Sequence, residues 1–470
     1  MMEDQAVAME SRQIDLQQRI EQLEQENAWL RERIEKLEQQ LHRNSTNSSR
    51  PPSSDGPQVV RPKKQPTGRK RGAQAGHPGT HRARVPAHKV DRWHRQSMEG
   101  PCEHCRCQEV KDTQWRFVKQ VWELPPIKPT VTQYEVQTGV CAGCGAQRTA
   151  RLPDSTPRGY FGPRAHAAVA TLTGCSHVSR RQTRFLLENL LGLPVSLGTV
   201  STLEKRVSDS LHKPAKQVRA LLRQEPVLHM DETGHKRAGV RRWNWVMCND
   251  TYAAYRVGQR RSKRVQQQMQ GNHFSGTIVC DNYSAYRHLP SQRKQLCLAH
   301  LLRPLEGLAR RTCQLGKIAG QLVSDFRQLF HLHKSLRDDR ARLQQESAVV
   351  RQRIHKTTLG AFLDHEELRP LGRLLYFRPQ EIWNYLDNPA LEMTNNQAER
   401  DIRPLVIWRK MSQGTQSVRG DRYMERIQTI QQTCRKQDRN PFVFIKNTLI
   451  AYWQGVRLPS LLPQPPPKGG

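Results

Sequence analysis

The chain has 470 residues, enough for several domains, and carries 76 Lys and Arg against 43 Asp and Glu, a net charge of +33. An excess of that size points to nucleic acid as the first partner and an anionic membrane as the second, and says little about fold. No stretch approaches about 18 consecutive apolar residues, which excludes a transmembrane helix and a membrane partner of that kind. Met1 to Glu10 is acidic and lacks an apolar core, so it is not a secretory signal. A cytoplasmic protein is expected, and its 11 cysteines are not read as a disulfide framework.

Residues 1–43 read as a leucine zipper. Leu16, Leu23, Leu30 and Leu37 recur every seventh residue, and Ile20, Asn27, Ile34 and Leu41 fill the other core position. Leu at one position and Ile at the other favours two parallel strands, and a single buried Asn fixes register and dimer state. Arg19 then faces Glu24, Glu26 faces Arg31 and Arg33 faces Glu38, so all three flanking pairs attract. A homodimer or larger assembly through this segment is expected. A basic-zipper regulator needs a basic helix just before the zipper, and Met1 to Ser11 has no Lys or Arg.

Residues 44–95 read as a disordered basic linker. Asn44 to Asp55 is polar, proline-containing and without periodicity. Arg61, Lys63, Lys64, Arg69, Lys70, Arg71, Arg82 and Arg84 follow with almost no acid. A solvated charge run is the bland account. A phosphate-contacting arm is the functional one, and it would give affinity and salt dependence rather than sequence choice.

Residues 96–155 read as a zinc ribbon. Cys102-x-x-Cys105 and Cys141-x-x-Cys144 are two knuckles whose four thiolates can close a tetrahedral structural Zn²⁺ site. Trp115 to Leu124 and Thr130 to Val140 alternate like a hairpin between them. His104 or Cys107 can replace a ligand, and a lone knuckle can also be a redox pair.

Residues 156–223 read as a helical DNA-binding domain. Leu172, Val178, Phe185, Leu186, Leu190 and Leu193 carry a helical period, and Pro194 to Val200 reads as a turn and a new start with Ser196 as N-cap. Arg180, Arg181, Arg184, Lys205 and Arg206 give it a basic surface. This fits a helix-turn-helix, and any helical hairpin on a basic protein looks similar.

Residues 224–430 carry the candidate site. Val227 to Thr233 is a short apolar run that stops on carboxylates at Asp231 and Glu232, and Gly276 to Asp281 repeats the pattern. Both read as buried strands with an acid at the tip, a costly placement unless a metal pairs with it. Between them lie two further strands, Arg242 to Asn249 and Tyr252 to Gly258, and a helix, Ser262 to Met269; another strand follows at Lys294 to Ala299. Three strands, a helix and then more strands is the order of a ribonuclease-H-like sheet, in which the first and fourth strands lie side by side and parallel. Asp231 and Asp281 would then meet. Residues 301–390 form a helical insertion. Glu399 follows, in the first turns of a helix capped by Asn395 or Asn396 and ended or kinked by Pro404.

Three carboxylates can hold two Mg²⁺ or Mn²⁺ ions for an in-line phosphodiester displacement. Arg400, Arg403, Arg409 and Lys410 can neutralise phosphate beside them. The chain holds 43 acids, so Glu392, Glu306 and Asp401 rival Glu399 for the third place. Glu232 is disfavoured, since neighbours on a strand point to opposite faces.

This order of parts resembles bacterial DDE transposases of the insertion sequence sixty-six family. The shared stretches are Asn47 to Asp55, Gly76-His77, the two Cys knuckles, Tyr160 to Pro163, His229 to Thr233, Asp281 to Tyr286, Cys297 to His300, Asn395 to Pro404 and Arg409-Lys410. The resemblance implies a DDE triad of Asp231, Asp281 and Glu399, a supporting role for His300, a zinc module, a helical insertion and terminal inverted-repeat DNA as substrate. Members often read Gly-Gly-Gln-Pro-Gly-His where this chain reads Gly72 to His77. The expected architecture is therefore multidomain α/β: coiled coil, basic linker, zinc ribbon, helix-turn-helix-like domain, ribonuclease-H-like domain and, over 431–470, a C-terminal helix and disordered tail. The expected activity is cleavage of transposon ends and joining of 3′-hydroxyls to target DNA, with accessory transposition proteins left open. Two rivals remain: a dimeric zinc-containing DNA-binding regulator without catalysis, and a sequence-tolerant ribonuclease-H-like nuclease.

Overall fold

The computed structural model describes residues 2–41, 44, 72–73, 76–78, 83–109, 111–153, 156–157 and 159–463. Lys63, Lys64, Arg69, Lys70 and Arg71 of the expected arm, and the stretch Asn47 to Asp55, lie outside these residues. The chain divides into one unit of residues 61–130 and another of residues 1–60 with 131–470.

In the smaller unit the first knuckle is closed by two backbone hydrogen bonds, Arg106 N to Cys102 O and Cys102 N to Cys107 O, both 2.8 Å. The expected strand at Trp115 to Leu124 does not form a strand of any sheet among the described residues. A side chain takes the place of a ladder there: the Gln120 amide donates to Val85 O at 3.0 Å and accepts from Val85 N at 2.9 Å.

In the larger unit, helix α1 (Met2–Leu41) leaves its Leu and Ile stripe bare: Leu16, Ile20, Leu23, Leu30, Ile34, Leu37 and Leu41 are all exposed. Strands β1 (Thr138–Val140) and β2 (Gln147–Thr149) form an antiparallel hairpin around the second knuckle. Of the expected strand Thr130 to Val140 only the last three residues form a strand, and they pair forward across Cys141 and Cys144.

Four helices follow: α2 (Pro163–Ala170), α3 (Arg180–Leu191), α4 (Leu197–Ser210) and α5 (His212–Leu222). Ser179 and Ser196 cap α3 and α4, accepting from Gln182 N at 3.2 Å and Thr199 N at 3.0 Å. Each cap satisfies an end donor worth about 1 kcal/mol. The α3–α4 pair is therefore a helical hairpin where the spacing predicts one.

The centre of the larger unit is a five-stranded mixed sheet in the order β5-β4-β3-β6-β7. Its strands are β3 (Val227–Arg237), β4 (Val240–Cys248), β5 (Ala253–Gly258), β6 (Thr277–Cys280) and β7 (Lys294–Leu296), with α6 (Lys263–Gln270) between β5 and β6. The first strand of the sheet lies beside the fourth and parallel to it, as the order of elements predicts. Gly276 permits that closeness, because a Cβ there would sit 2.5 Å from Pro226 O. One face of the sheet buries Leu228, Met230, Trp245, Met247 and Ile278. The other buries Val246, Cys248, Ala253 and Tyr255 against the helices that follow. Each such side chain stabilises the fold by roughly 1.5–3 kcal/mol.

Three local expectations change. β3 does not stop at Asp231 but runs on to Arg237, because residues 229–237 all pair with β4 across a turn at Ala238 and Gly239, both at positive φ. β7 ends at Leu296, and Cys297 begins a helix, α7 (Leu298–Leu308). Pro404 neither ends nor breaks its helix. α12 (Asn396–Ser412) continues past it, held by Ala398, Ile402 and Leu405 packed against β4 and β5. Between α7 and α12 lie α8 (Gln314–Ser335), α9 (Arg340–Ala361), α10 (Arg369–Phe377) and α11 (Gln380–Asp387), the expected helical insertion. α13 (Val418–Lys436) and α14 (Pro441–Gln454) complete the fold.

A candidate carboxylate centre at the edge of parallel pairing

β3 and β6 pair through Val227 to His229 and Thr277 to Val279. Continuing that register sets Asp281 level with Asp231, just where the parallel ladder stops. The alternation of β3 sends Asp231 toward the α12 face, with His229, and Glu232 toward the opposite face, with Leu228 and Met230. Asn395, the residue before α12, ties that helix to the strand. Its amide donates to Met230 O at 2.7 Å and its oxygen lies 3.2 Å from His229 Nδ1. Of the two candidate caps, Asn395 and Asn396, Asn395 stands at the N-cap of α12 but makes no side-chain cap bond, and its side chain holds β3 instead. One turn on, Glu399 is thereby turned toward the two aspartates.

The three acids feel one another. Burial first, then the charges of Glu232, Asp281 and Glu399, raise Asp231 well above the ordinary carboxylate range. Asp281 is raised by burial, against Arg261 and the Tyr283 N–H, and Glu399 is raised by burial and by Asp281, against Arg303. Burial is the largest cause in each case, and mutual repulsion adds to it at Asp231 and Glu399. Glu399 Oε1 is buried without a hydrogen-bond partner; His300 Nδ1 lies 3.6 Å away and Arg303 NH2 3.7 Å away. Both separations are longer than a hydrogen bond. The rivals of Glu399 are committed elsewhere: Glu306 to Arg327 at 2.7 Å, Glu392 to Arg337 at 2.7 Å and Asp401 to Lys436 at 2.8 Å.

Glu232, which its direction along the strand argued against, is fully buried and has a different task. Its carboxylate accepts from Arg261 Nε at 2.6 Å and from Tyr286 OH at 2.6 Å. Arg261 also reaches Asp281 at 3.4 Å and stacks 3.4 Å above the Tyr283 ring. Burial and Asp281 push Glu232 up to about 7 in spite of Arg261 and Tyr286. Arg261, Glu232 and Asn395 are thus placed by the fold in roles that sequence spacing did not indicate. Tyr283 and Tyr286 lie in the stretch after Asp281 already singled out, and they account for its aromatic spacing.

Of the basic residues expected nearby, Arg403 is exposed, and no ion pair joins it to Glu399 among the described residues. Arg409 donates to Gly234 O at 2.6 Å, while Lys410 is exposed. On α3, Arg180 pairs with Glu204 at 2.6 Å and Arg184 with Glu188 at 3.4 Å, and Arg181 is exposed. Burial and the positive charges of Arg303 and Arg261 lower His300 to about 4, so its imidazole is neutral near pH 7.

The second knuckle repeats the first bond for bond: Gly145 N to Cys141 O at 2.8 Å, Cys141 N to Ala146 O at 2.9 Å. Arg106 and Gly145, one residue past each second cysteine, both have positive φ. Backbone N–H groups of the knuckle lower the thiols of Cys102 and Cys141.

A model of the transposase IS66 family matches residues 158–423, and a model of a family of unknown function matches residues 6–83. Three curated proteins of Sinorhizobium fredii (strain NBRC 101917 / NGR234) are similar to this chain. Uncharacterized protein y4qI is 28% identical over 200 residues, 39% of this chain and 37% of that protein. Uncharacterized protein y4hP is 24% identical over 374 residues, 69% of this chain and 66% of that protein. Uncharacterized protein y4jD is 22% identical over 292 residues, 55% and 56% of the two. The chain thus spans from about a third to about two thirds of these relatives.

Proposed function

With more than half of its length matched, this chain belongs to the transposase IS66 family, and on that premise we propose that it is a DNA transposase of the DDE type that cleaves the terminal inverted repeats of an insertion sequence and joins their 3′-hydroxyls to target DNA. The observation that carries this is the placement of the three acids: the β3–β6 register sets Asp281 level with Asp231, and Asn395 ties α12, with Glu399 one turn on, to the same strand. The first-beside-fourth parallel pairing supports a ribonuclease-H-like catalytic domain over 224–430.

The donor set fits a divalent cation. It is carboxylate-rich, and Glu399 Oε1 is buried and unpartnered. Asp231, Asp281 and Glu399 would hold Mg²⁺ or Mn²⁺, two ions on the usual pattern, and the bound ions supply Lewis-acid activation of nucleophile and leaving oxygen. The chain's own residues do the rest. Asn395 fixes the position of Glu399 relative to Asp231. Arg261, held by Glu232 and Tyr283, keeps a positive charge beside Asp281. Neutral His300 and charged Arg303 border Glu399 and keep it from turning away. Arg403, Arg409 and Lys410 on α12, and Arg180, Arg181 and Arg184 on α3, are assigned to the DNA backbone, as are Lys63, Lys64, Arg69, Lys70 and Arg71. Phosphate contacts of this kind give salt-dependent affinity.

Cys102, Cys105, Cys141 and Cys144 are assigned to structural Zn²⁺ on the strength of the paired Cys-x-x-Cys spacing in the sequence. The bare stripe of α1 is assigned to a second copy of the chain in a parallel homodimer, alone or within a larger assembly. No described helix is long and apolar enough to cross a membrane; a cytoplasmic, nucleoid-associated place is proposed from the charge and the family.

Purified protein incubated with labelled terminal repeats and Mg²⁺ or Mn²⁺ tests the catalytic proposal. Cleaved ends and strand-transfer products are expected, and both are lost in Asp231→Ala. Binding without either product, unchanged in Asp231→Ala, supports the non-catalytic regulator instead. Random duplex cut as readily as repeat ends supports the tolerant nuclease.

A further inference from the structure

Glu399 belongs to a second grouping of different chemistry. Cys297, His300 and Glu399 offer a thiol, an imidazole nitrogen and a carboxylate oxygen that all lie within 4.8 Å of one another. Among the described residues, no other three His, Cys, Asp or Glu side chains meet so closely. We infer that these three side chains form a binding site for a thiophilic divalent ion of the zinc class, beside the proposed magnesium-binding carboxylates and sharing Glu399 with them. The inference takes the role of Glu399 from the function proposed above but does not require that function to hold.

The fold builds this grouping from two places. Leu296 ends β7, Cys297 N donates to Cys280 O at 2.8 Å, and Leu298 N donates to Met393 O at 2.9 Å. The start of α7 is thus pinned between the end of β6 and the loop before α12. Cys297 precedes α7 and His300 is three residues on, so both face the same side of its first turn. α12 brings Glu399 against them.

Two buried atoms point to a ligand. His300 Nδ1 and Glu399 Oε1 are both shielded from water, both lack a hydrogen-bond partner, and stand 3.6 Å apart. Buried polar atoms are normally satisfied, and two facing orphans call for something between them. Donors around one tetrahedral zinc ion sit about 3.4 Å apart, given bond lengths of about 2.0–2.3 Å. The His–Glu separation already fits that spacing, and the thiol lies within 4.8 Å of both atoms. Three protein ligands leave one position open, the pattern of zinc sites that also take water or a substrate atom.

Charge and softness decide the ion. A thiolate, a carboxylate and a neutral imidazole carry two negative charges and match a divalent ion. Thiolate and imidazole donors prefer zinc or cobalt to magnesium, while the Asp231 and Asp281 carboxylates prefer magnesium or manganese. Arg303 is the one obstacle: its NH1 lies 3.3 Å from His300 Nε2. An ion on Nδ1 places the imidazole proton on Nε2, so Arg303 must withdraw. Its side chain is 24% exposed and has water to turn into.

The test uses the full chain, stripped with chelator, equilibrated with Zn²⁺ and freed of loose ion. Wild type is expected to retain one zinc ion per chain more than Cys297→Ser and His300→Ala, each checked for folding by circular dichroism. Loaded with Co²⁺, wild type is expected to show more sulfur-to-cobalt charge-transfer absorption than Cys297→Ser, by a single-thiolate increment. Four knuckle cysteines are common to all these proteins and cancel in the difference. Equal zinc content and equal cobalt spectra in the folded variants overturn the inference. Asp231→Ala separates it from the catalytic proposal. Retention of the ion in that variant supports the Cys297 site whatever the cleavage assay shows, and loss of the ion assigns it to the carboxylates and overturns the site.

Discussion

β3 passes two buried acid sites, and they behave in opposite ways. Near its end, Asp421 from α13 accepts from Arg237 NH1 at 2.9 Å and from the Thr415 hydroxyl, with His235 Nε2 3.6 Å away. Burial alone would raise Asp421, yet His235 beside it, the Thr415 hydrogen bond and the Arg237 charge lower it below the ordinary value. A few residues earlier, Asp231, Glu232, Asp281 and Glu399 are all raised. Among the described residues, Arg261 and Arg303 are the arginines within ion-pair distance of them, two charges for four carboxylates. The compensated acid fastens the α12–α13 loop to the sheet. The uncompensated cluster costs stability in the apo chain, and a deficit of that kind is what a divalent cation fills.

The largest effect should come from the uncompensated side. Asp231→Asn is expected to lower metal-dependent cleavage by roughly a thousandfold or more, beyond the 10- to 100-fold typical of an outer metal partner. Its melting temperature without metal should hold or rise, because one member of a self-repelling set is gone. A marked fall in melting temperature would mean that Asp231 is structural, like Asp421.

The compensated side should answer with the reverse signature. Asp421→Ala strands Arg237 and His235 and is expected to cost about 2–3 kcal/mol, the low side for a broken buried pair because Arg237 keeps some exposure. Denaturant unfolding reads that loss. Cleavage by the remaining folded protein should fall much less than in Asp231→Asn.

Acidity separates the two sites by sign. Glu232 is pushed up to about 7 in the fold from about 4.5 unfolded. Its contribution to stability is therefore full below about pH 4.5 and is lost as pH rises through about 7. Asp421 is lowered, so its contribution is present above about 3.8 and is lost as pH falls below that value. His300, lowered to about 4, opposes Glu232 between about pH 4 and 6.5. The clean quantity is the stability difference between wild type and Glu232→Gln in metal-free buffer. It should shift against wild type by on the order of 2 kcal/mol between pH 5 and 8. A flat difference would mean that Arg261 and Tyr286 already neutralise Glu232.

How much of this was legible follows from range. The two strand-end acids could be read because an apolar run stopping on a carboxylate is a local pattern. The extension of β3 could not: Thr233 to Arg237 is polar and includes Gly234, and only pairing with β4 makes it a strand. Pro404 misled for a related reason. Its helix survives through Ala398, Ile402 and Leu405, contacts that no local rule contains. The Cys297 to His300 stretch is visible as a shared motif, but local pattern extends the strand to Ala299, whereas the strand ends at Leu296 and α7 starts at Leu298. Arg261 sits in the turn before α6 with no neighbouring signal, and its tie to Glu232 spans 29 residues. Charge balance at a site is a tertiary quantity, so the contrast between Asp231 and Asp421 needed the fold.

The finest test concerns the link between the strand and α12. Asn395 is buried, its side chain bonds none of the acids, and its backbone O accepts from Glu399 N at 3.1 Å. Its side chain holds Met230 O at 2.7 Å and faces His229 Nδ1 at 3.2 Å, the two residues just before Asp231 on β3. Asn395→Ala leaves both groups unsatisfied and should cost about 1–2 kcal/mol. If the link only supports the fold, activity per folded molecule and its Mg²⁺ dependence should match wild type. If it sets Glu399 against Asp231, more Mg²⁺ should be needed for half-maximal cleavage, with turnover lowered about tenfold and the KM for DNA unchanged. We expect the second outcome, because the carboxylates repel one another and separate when nothing holds α12 to β3. An unchanged Mg²⁺ requirement in a destabilised Asn395→Ala would return Asn395 to the class of Asp421, a residue that secures the sheet and leaves the chemistry alone.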